Sequence, residues 1–539
     1  MSARATSFLD HLFASSPLRH PFFRLFYVGT VAAALAYTMQ ATMAAWLMST
    51  LTTSALMVAL VQSASTAPSL LFGLIGGSLA DIVDRRRVLL ITQAVLLLSS
   101  LALAIATLTG FIGPLSLLAL TFLVGAGFTF YMPAQQASVN DLVSRQDLSR
   151  AIALSSVAFN LARAIGPGLA GAIAAAVSTG TALLVGAAGF LPMMLTALRW
   201  KRAPSTLPGV PETLLSGVRS GLRYARHSPL MGALIVRNLS FSICASALWA
   251  LLPVIARDQL GLDAGGFGLL SAGFGTGAVI GALTIPRHLH RFPLNTVVNA
   301  GTLLWVVAVS IVAISRITPV ALVGMFGAGA AWVGVLASLS AGTQSAAPAW
   351  VRARAVAMNL VAVQASLAIG SALWGWIASV FGISISLAVS AATMLVLLGV
   401  NRRFHVRLGS EADVTSGSHL LPDLGLTELP SPTDGPVLIQ VEYRVPPESQ
   451  AGFLAAIDAI GPTRRRNGAS DWRVFRDLTE HDRFVERYII ASWAEYERLR
   501  SRMTMADRTV QDRVQQFQEP GVAVRVSRLI GIDPHEHRG

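Results

Sequence analysis

Arg163 stands in the middle of an apolar run, residues 151–175. A helix rises about 1.5 Å per residue, so a helix through that run carries the guanidinium to mid-membrane depth. A charge there is costly and calls for a role or for partners. Two readings stand open: a contact to an anionic group of a bound molecule, or a structural arginine held by helix-end carbonyls and amide side chains. Asn160 lies just before it on the same run. Arg237 sits nearer one end of its run, 230–256, where it can snorkel, which favours a structural role. A second constellation is ionic: Gly77, Asp81, Asp84, Arg85, Arg86 and Arg87. Gly77 permits close helix contact. Asp81, at a membrane edge, can cap another helix or pair with arginine, and the three arginines can face anionic headgroups. Topology-setting and gating are both expected of this stretch. The third is Gly166, Pro167 and Gly171. Proline removes a backbone donor and kinks a helix, and the glycines let a neighbour pack closely. No Asp or Glu falls inside any long apolar run. The buried carboxylate that proton-coupled transport commonly uses is therefore missing from the spans.

The elements that position these residues follow from composition. The 539-residue chain is 53% hydrophobic and 13% charged, with mean hydropathy +0.59. A soluble protein carries roughly twice that charge fraction. Apolar runs of spanning length recur near 24–49, 54–80, 88–109, 113–137, 151–175, 180–199, 230–256, 264–286, 294–315, 319–345, 354–378 and 381–401, predicting twelve transmembrane helices. Residues 150–174 return at 354–378 without a gap, at an offset of 204 that also carries Gly73 onto Gly277, Gly77 onto Gly281 and Arg87 onto Arg291. A duplicated, membrane-embedded half is the mark of a transporter with its site between the halves. The expected architecture is an all-α polytopic membrane protein of two six-helix repeats.

A net charge of +13 raises nucleic acid as a partner, but the placement of the charge argues against it. Connections on the N-terminal side hold Arg19, Arg85, Arg86, Arg87, Arg199, Lys201, Arg202, Arg352, Arg354, Arg402 and Arg403 among others; the opposite side holds Arg257 and Arg316. This asymmetry predicts both termini in the cytoplasm and a location in the cell (inner) membrane. The expected layout is 1–21 cytoplasmic segment, 22–199 first half, 200–229 central cytoplasmic loop, 230–407 second half, 408–436 flexible linker and 437–532 cytoplasmic α/β domain. The linker is rich in Ser, Gly, Pro and acidic residues. The tail reads β-α-β-β-α-β, a small ferredoxin-like α+β domain. Within it Trp472, His481 and Trp493 are candidates for a small pocket. No nucleophile arrangement or metal-ligand cluster accompanies them, so no metal or cofactor is expected.

The stretch Gly77 to Arg87 resembles the major facilitator signature G-x-x-x-D-R-x-G-R-R, with Ile82 and Asp84 departing from it. Gly166-Pro167-Gly168-Leu169-Ala170-Gly171 resembles the G-P-x-x-G-G element of exporters in that superfamily. Tyr131 to Gln136, Leu142 to Arg145 and Asn160 to Arg163 resemble the group of enterobactin exporters and macrolide-efflux-like proteins. The resemblance implies a secondary transporter, driven by the proton-motive force, that exports small amphiphilic molecules of drug or siderophore type. It also implies a cavity lined by spans 1, 4, 7 and 10, whose candidates are Gln40, Met43, Trp46, Phe128, Tyr131, Asn238, Trp249, Met325 and Trp332; ordinary packing is the competing reading for each. The tail resembles the antibiotic-biosynthesis-monooxygenase-like dimeric α/β barrels, which implies a homodimerisation or regulatory module. A membrane-tethered oxygenase is the alternative, against which twelve duplicated spans are far more than an anchor needs.

Overall fold

The computed structural model describes residues 16–144, 146–200, 214–417 and 430–532, without the side chains of 74, 76–82, 149 and 214–220. Two compact units emerge, one of residues 1–210, 236–339 and 359–403, the other of 211–235, 340–358 and 404–539. All twelve expected spans are helices long and apolar enough to cross a membrane. They are α1 (Pro21–Leu51), α2 (Ala55–Ile82), α3 (Arg85–Leu108), α4 (Pro114–Leu142), α5 (Leu148–Ala176), a broken pair α6 (Thr179–Ala188) and α7 (Leu191–Arg199), then α9 (Pro229–Val254), α10 (Ala264–Arg291), α11 (Leu294–Ile314), α12 (Thr318–Ala346), α13 (Ala349–Phe381) and α14 (Ile383–Val400). Between the halves lies α8 (Leu214–His227).

The starts follow local chemistry. Asp84 caps α3 through Arg86 N at 2.8 Å, and Asp263 caps α10 through Gly266 N at 2.8 Å. Ser178 caps α6 through Thr181 N at 3.1 Å. The sixth span breaks at Gly189 and Phe190, where the Gly189 N–H already bonds back to Val185 and Gly186. The core of the first half is built from Phe23, Phe26, Leu96, Tyr131, Phe190 and Met193. That of the second half is an aromatic cluster of Phe241, Trp249, Phe274, Trp305 and Trp332. Large apolar side chains such as Leu98, Phe111, Leu283 and Val396 stay exposed. In water that would be a liability; for a multi-pass membrane protein it is the lipid-facing surface.

In the second unit β1 (Val437–Arg444), α15 (Gln450–Asp458), α16 (Ile460–Asn467), β2 (Ser470–Arg476), β3 (Arg483–Ile490), α17 (Trp493–Arg502), α18 (Met505–Gln515) and β4 (Arg525–Ile530) follow the expected connectivity. The antiparallel sheet has the order β2-β3-β1-β4. Alternate β1 and β3 residues, among them Ile439, Tyr443, Phe484 and Tyr488, are buried against the helices. Of the expected linker, 418–429 lies outside the described residues. Its ends are anchored: the Gly409 N–H donates to Ser345 Oγ (2.9 Å), Arg407 pairs with Asp413 (2.7 Å), and Ser416 bridges to Thr504. The Trp493 N–H donates to the Asp434 carbonyl (2.7 Å).

Candidate transport site and gates

The two halves meet through duplicated glycines. A Cβ on Gly171 of α5 would lie 2.7 Å from the Ala264 carbonyl oxygen and 2.8 Å from Gly268 Cα of α10. A Cβ on Gly275 would lie 2.5 Å from Ala164 Cα. The repeat partner of Gly171 is Gly375, which packs α13 on Leu56 and Ala59 of α2. Ser63 Oγ of α2 donates to the Ala368 carbonyl (2.7 Å) in the same seam. Gly166 and its partner Gly370 do a third job within their own halves, meeting Thr38 of α1 and Ile243 of α9. The repeat is thus expressed as crossed contacts, α5 with α10 and α13 with α2. Pro167, unlike its counterpart Ser371, frees no N–H, and its carbonyl lies against Gly268. The exporter-like element therefore sits on the seam between halves.

Arg163 is one turn nearer the start of α5. Its side chain is exposed, as are those of Asn160 and Ser156, three and seven positions back along one stripe. Leu161, Ile165 and Leu169 form the opposite, apolar stripe, also exposed. Apolar exposure suits lipid and polar exposure suits a water-lined cleft. Asn160 Nδ2 donates to the Ser156 carbonyl (2.9 Å). Among the described residues Arg163 has no hydrogen-bond or ion-pair partner; its electrostatic neighbour is the Tyr37 phenol. Tyr37 stacks on Phe128 with 3.7 Å between ring centroids and shares a hydrogen bond with Ser65 Oγ (3.1 Å). Tyr37 and Ser65 were not among the sequence candidates. The signal for Tyr37 was its place one turn before Gln40, on a span already expected to line the cavity.

Other candidates are placed differently. Arg237 donates to Asn299 (2.8 Å) and to Asn295. Asn238 is buried and donates to Asn359 Oδ1 (2.6 Å), tying α9 to α13. Gln40 donates to the Leu183 carbonyl (2.7 Å). Met43, Tyr131 and Met325 are fully enclosed, and Trp249 and Trp332 belong to the aromatic core of the second half. In this conformation all of these pack helices together. Trp46 stacks on Phe267 at 5.6 Å, across the two halves. Of the cavity candidates, Phe128 alone joins the surroundings of Arg163.

The basic motif extends one expectation. Arg85 and Arg86, expected at the headgroups, also turn back onto helix C-termini. Arg85 donates to the Ala137 carbonyl (2.9 Å) and to Asp141 (2.8 Å) of α4. Arg86 donates to the carbonyls of Ala197 (3.0 Å) and Leu198 (2.9 Å) of α7. Cations there satisfy orphan carbonyls and complement the helix dipole. Arg87 is exposed. Gly77 lies within α2, and the side chain of Asp81 lies outside the described residues, so its gating role remains an expectation.

The tail candidates do not converge on one pocket. Trp472 donates to Glu486 (2.9 Å), Trp493 is buried and donates to Glu497 (3.1 Å), and His481 is exposed in a loop. The interior between sheet and helices is filled by an ionic knot. Glu486, fully buried, accepts from Arg464, Trp472 and Tyr443. Burial acts to raise its carboxyl, yet Arg464 holds it below the ordinary glutamate range.

The profile of the transmembrane secretion effector family of major facilitator proteins matches residues 13–536, through the tail. The chain is similar to the multidrug efflux pump Tap of Mycolicibacterium fortuitum, 27% identical over 389 residues, covering 69% of this chain and 92% of that one. It is similar to the enterobactin exporter EntS of Salmonella choleraesuis (strain SC-B67), 28% identical over 358 residues, covering 63% and 83%. Among solved structures, a bacterial homolog of the human lysosomal transporter Spinster, inward-facing and unoccupied, aligns with TM-score 0.59 and 15% identity over 72% of this chain and 96% of that one. A variant of the nucleoside transporter NupG aligns with TM-score 0.61 and 13% identity over 71% and 99%. At these identities the structures speak for the fold alone.

Proposed function

The chain belongs to the transmembrane secretion effector family of major facilitator transporters, and from that premise we propose that it exports small amphiphilic anions by alternating access. The observation that carries this reading is Arg163, exposed at mid-span without a hydrogen-bond or ion-pair partner among the described residues. A cation so placed needs an anion, and the apolar runs themselves contain no Asp or Glu. A substrate carboxylate, sulfonate or phenolate meets that need, with Asn160 as a further polar contact. The Tyr37–Phe128 stack offers an apolar face to the rest of the molecule. The similarity to a multidrug pump and an enterobactin exporter supports export of drug- or siderophore-like molecules.

Energised vesicles and two dyes test this: anilinonaphthalene sulfonate and its uncharged parent phenylnaphthylamine. The protein should transport the sulfonate, and Arg163→Gln should abolish that transport. Equal handling of both dyes by the wild type and by Arg163→Gln would remove the anion site.

Proton drive and cytoplasmic termini belong to the same reading. Basic connections support the orientation. Cysteine at position 262 or 317 should react with impermeant thiol reagents in intact cells, and cysteine in 200–229 should not. The open face of the tail sheet carries Leu438, Phe475, Val485, Ile489 and Leu529 among charged residues, which supports pairing with a second tail. A Gln440→Cys chain that fails to cross-link as a dimer would count against it.

A further inference from the structure

Within the second unit the tail does not hang free; it grips the short connection between α12 and α13. Trp350 stands in the first turn of α13. The Arg502 guanidinium, at the end of α17, lies 4.4 Å from its ring centroid. Tyr224 of α8 meets the same ring edge-on at 5.6 Å and its hydroxyl donates to the Ala346 carbonyl (3.4 Å), the last residue of α12. Arg466 of α16 covers Tyr224 at 5.6 Å. Arg466 is itself paired with Asp507 of α18.

Glu495 of α17 ties these pieces together. It accepts from Arg223 of α8 (2.9 Å), Arg502 (3.0 Å) and Arg498 (2.8 Å). Beneath the charges, Tyr224, Met231, Ala347, Val351 and Ala355 form an apolar cluster. Gly409 closes the ring against Ser345. Two tail helices, the interhalf helix α8 and the α12–α13 connection are therefore one packed body.

We propose that the tail is an intramolecular clamp on the α12–α13 connection, whose docking holds the transporter in the state where α5 and α10 are closed on each other. The physical reason is mechanical. Alternating access rocks one half against the other, and α12 and α13 both belong to the second half. A connection held by partly buried ion pairs and a cation–π contact must release those contacts, or carry the tail along, before the half moves. The closed state is favoured by whatever the docked contacts contribute beyond the released ones.

The test uses the full chain and needs no substrate. Arg223→Glu places a second anion beside Glu495, and Trp350→Ala removes the ring under Arg502. Amide exchange reads docking in α8, in 349–358 and in 493–502. Closure is read by the rate at which an Ala175→Cys, Gly265→Cys pair forms a disulfide under mild oxidant; a Cβ on Gly265 would lie 3.1 Å from that of Ala175. Both variants should speed exchange in all three segments and slow disulfide formation roughly fivefold or more, the lower range of allosteric coupling. Glu495→Gln, which keeps the side-chain size, should act in the same direction if the harsher variants fail to fold. Faster exchange with an unchanged disulfide rate would leave a dock without a clamp and overturn the proposal. Unchanged exchange in 349–358 would overturn it at the first step.

Discussion

Gly171→Ala should open the seam between the halves. The added Cβ would lie 2.7 Å from the Ala264 carbonyl oxygen and 2.8 Å from Gly268 Cα. Ordinary carbon contacts sit at about 3.5–4.0 Å, and both obstructing atoms are backbone, so no side chain can rotate away. The helices must part by roughly 1 Å, and overpacking of this kind costs about 1–3 kcal/mol. Alanine also favours the helix locally by up to about 1 kcal/mol, but α5 is helical in either state, so that gain cancels in the equilibrium. The remaining cost falls on the closed state alone and shifts the closed-to-open ratio by about 5- to 150-fold. The Ala175→Cys, Gly265→Cys disulfide should form correspondingly more slowly, and steady export should fall as closure becomes limiting. Two controls grade the argument. Gly168→Ala meets only the Ala272 methyl at 3.3 Å, which can give, so its effect should be small. Gly399→Ala meets nothing within 4 Å and should leave closure unchanged. Wild-type cross-linking in Gly171→Ala would refute the claim that glycine-mediated contact holds this gate.

Glu486→Leu should strand Arg464 as an uncompensated buried charge and destabilise the tail by about 3–5 kcal/mol, read as loss of exchange protection in β1 and β3. Arg85→Gln should weaken the tie of α3 to α4, lowering the thermal midpoint of detergent-solubilised protein while transport orientation stays the same. Asp81→Asn should cut export without preventing insertion; wild-type export would leave that motif as topology only. Burial acts to raise Glu495, but Arg502, with Arg498 and Arg223, holds it below its ordinary value of 4.5. A carboxyl depressed in the folded state contributes stability above its unfolded pKa and loses it as pH falls through the folded one. Exchange protection in 493–502 should therefore hold from neutral pH to about pH 5 and decline only below it.

How much was legible in the sequence can be judged from particular residues. The twelve spans were, because an 18-residue apolar run has few alternatives to a membrane helix. So was the duplication, from the constant offset of 204 between the two copies. The tail connectivity was legible because strand alternation such as that of 437–444 survives in a half-buried sheet. Arg163 could be singled out by depth alone, but its two readings could not be separated, because partners come from other helices. The same holds for Arg237, where only tertiary structure brings Asn295 and Asn299 to the guanidinium. The acceptors of Arg85 and Arg86 were not legible, since sequence carries no record of which helix C-termini end beside them. The stretch 408–436 reads as linker by composition, yet its two ends are anchored by contacts 64 and 59 residues away in the chain, at Ser345 and Trp493. Composition and periodicity report what a segment does against water or lipid. Which charge meets which carbonyl, and which helix a tail grips, are decided by packing between segments distant in the chain, and only the folded structure records them.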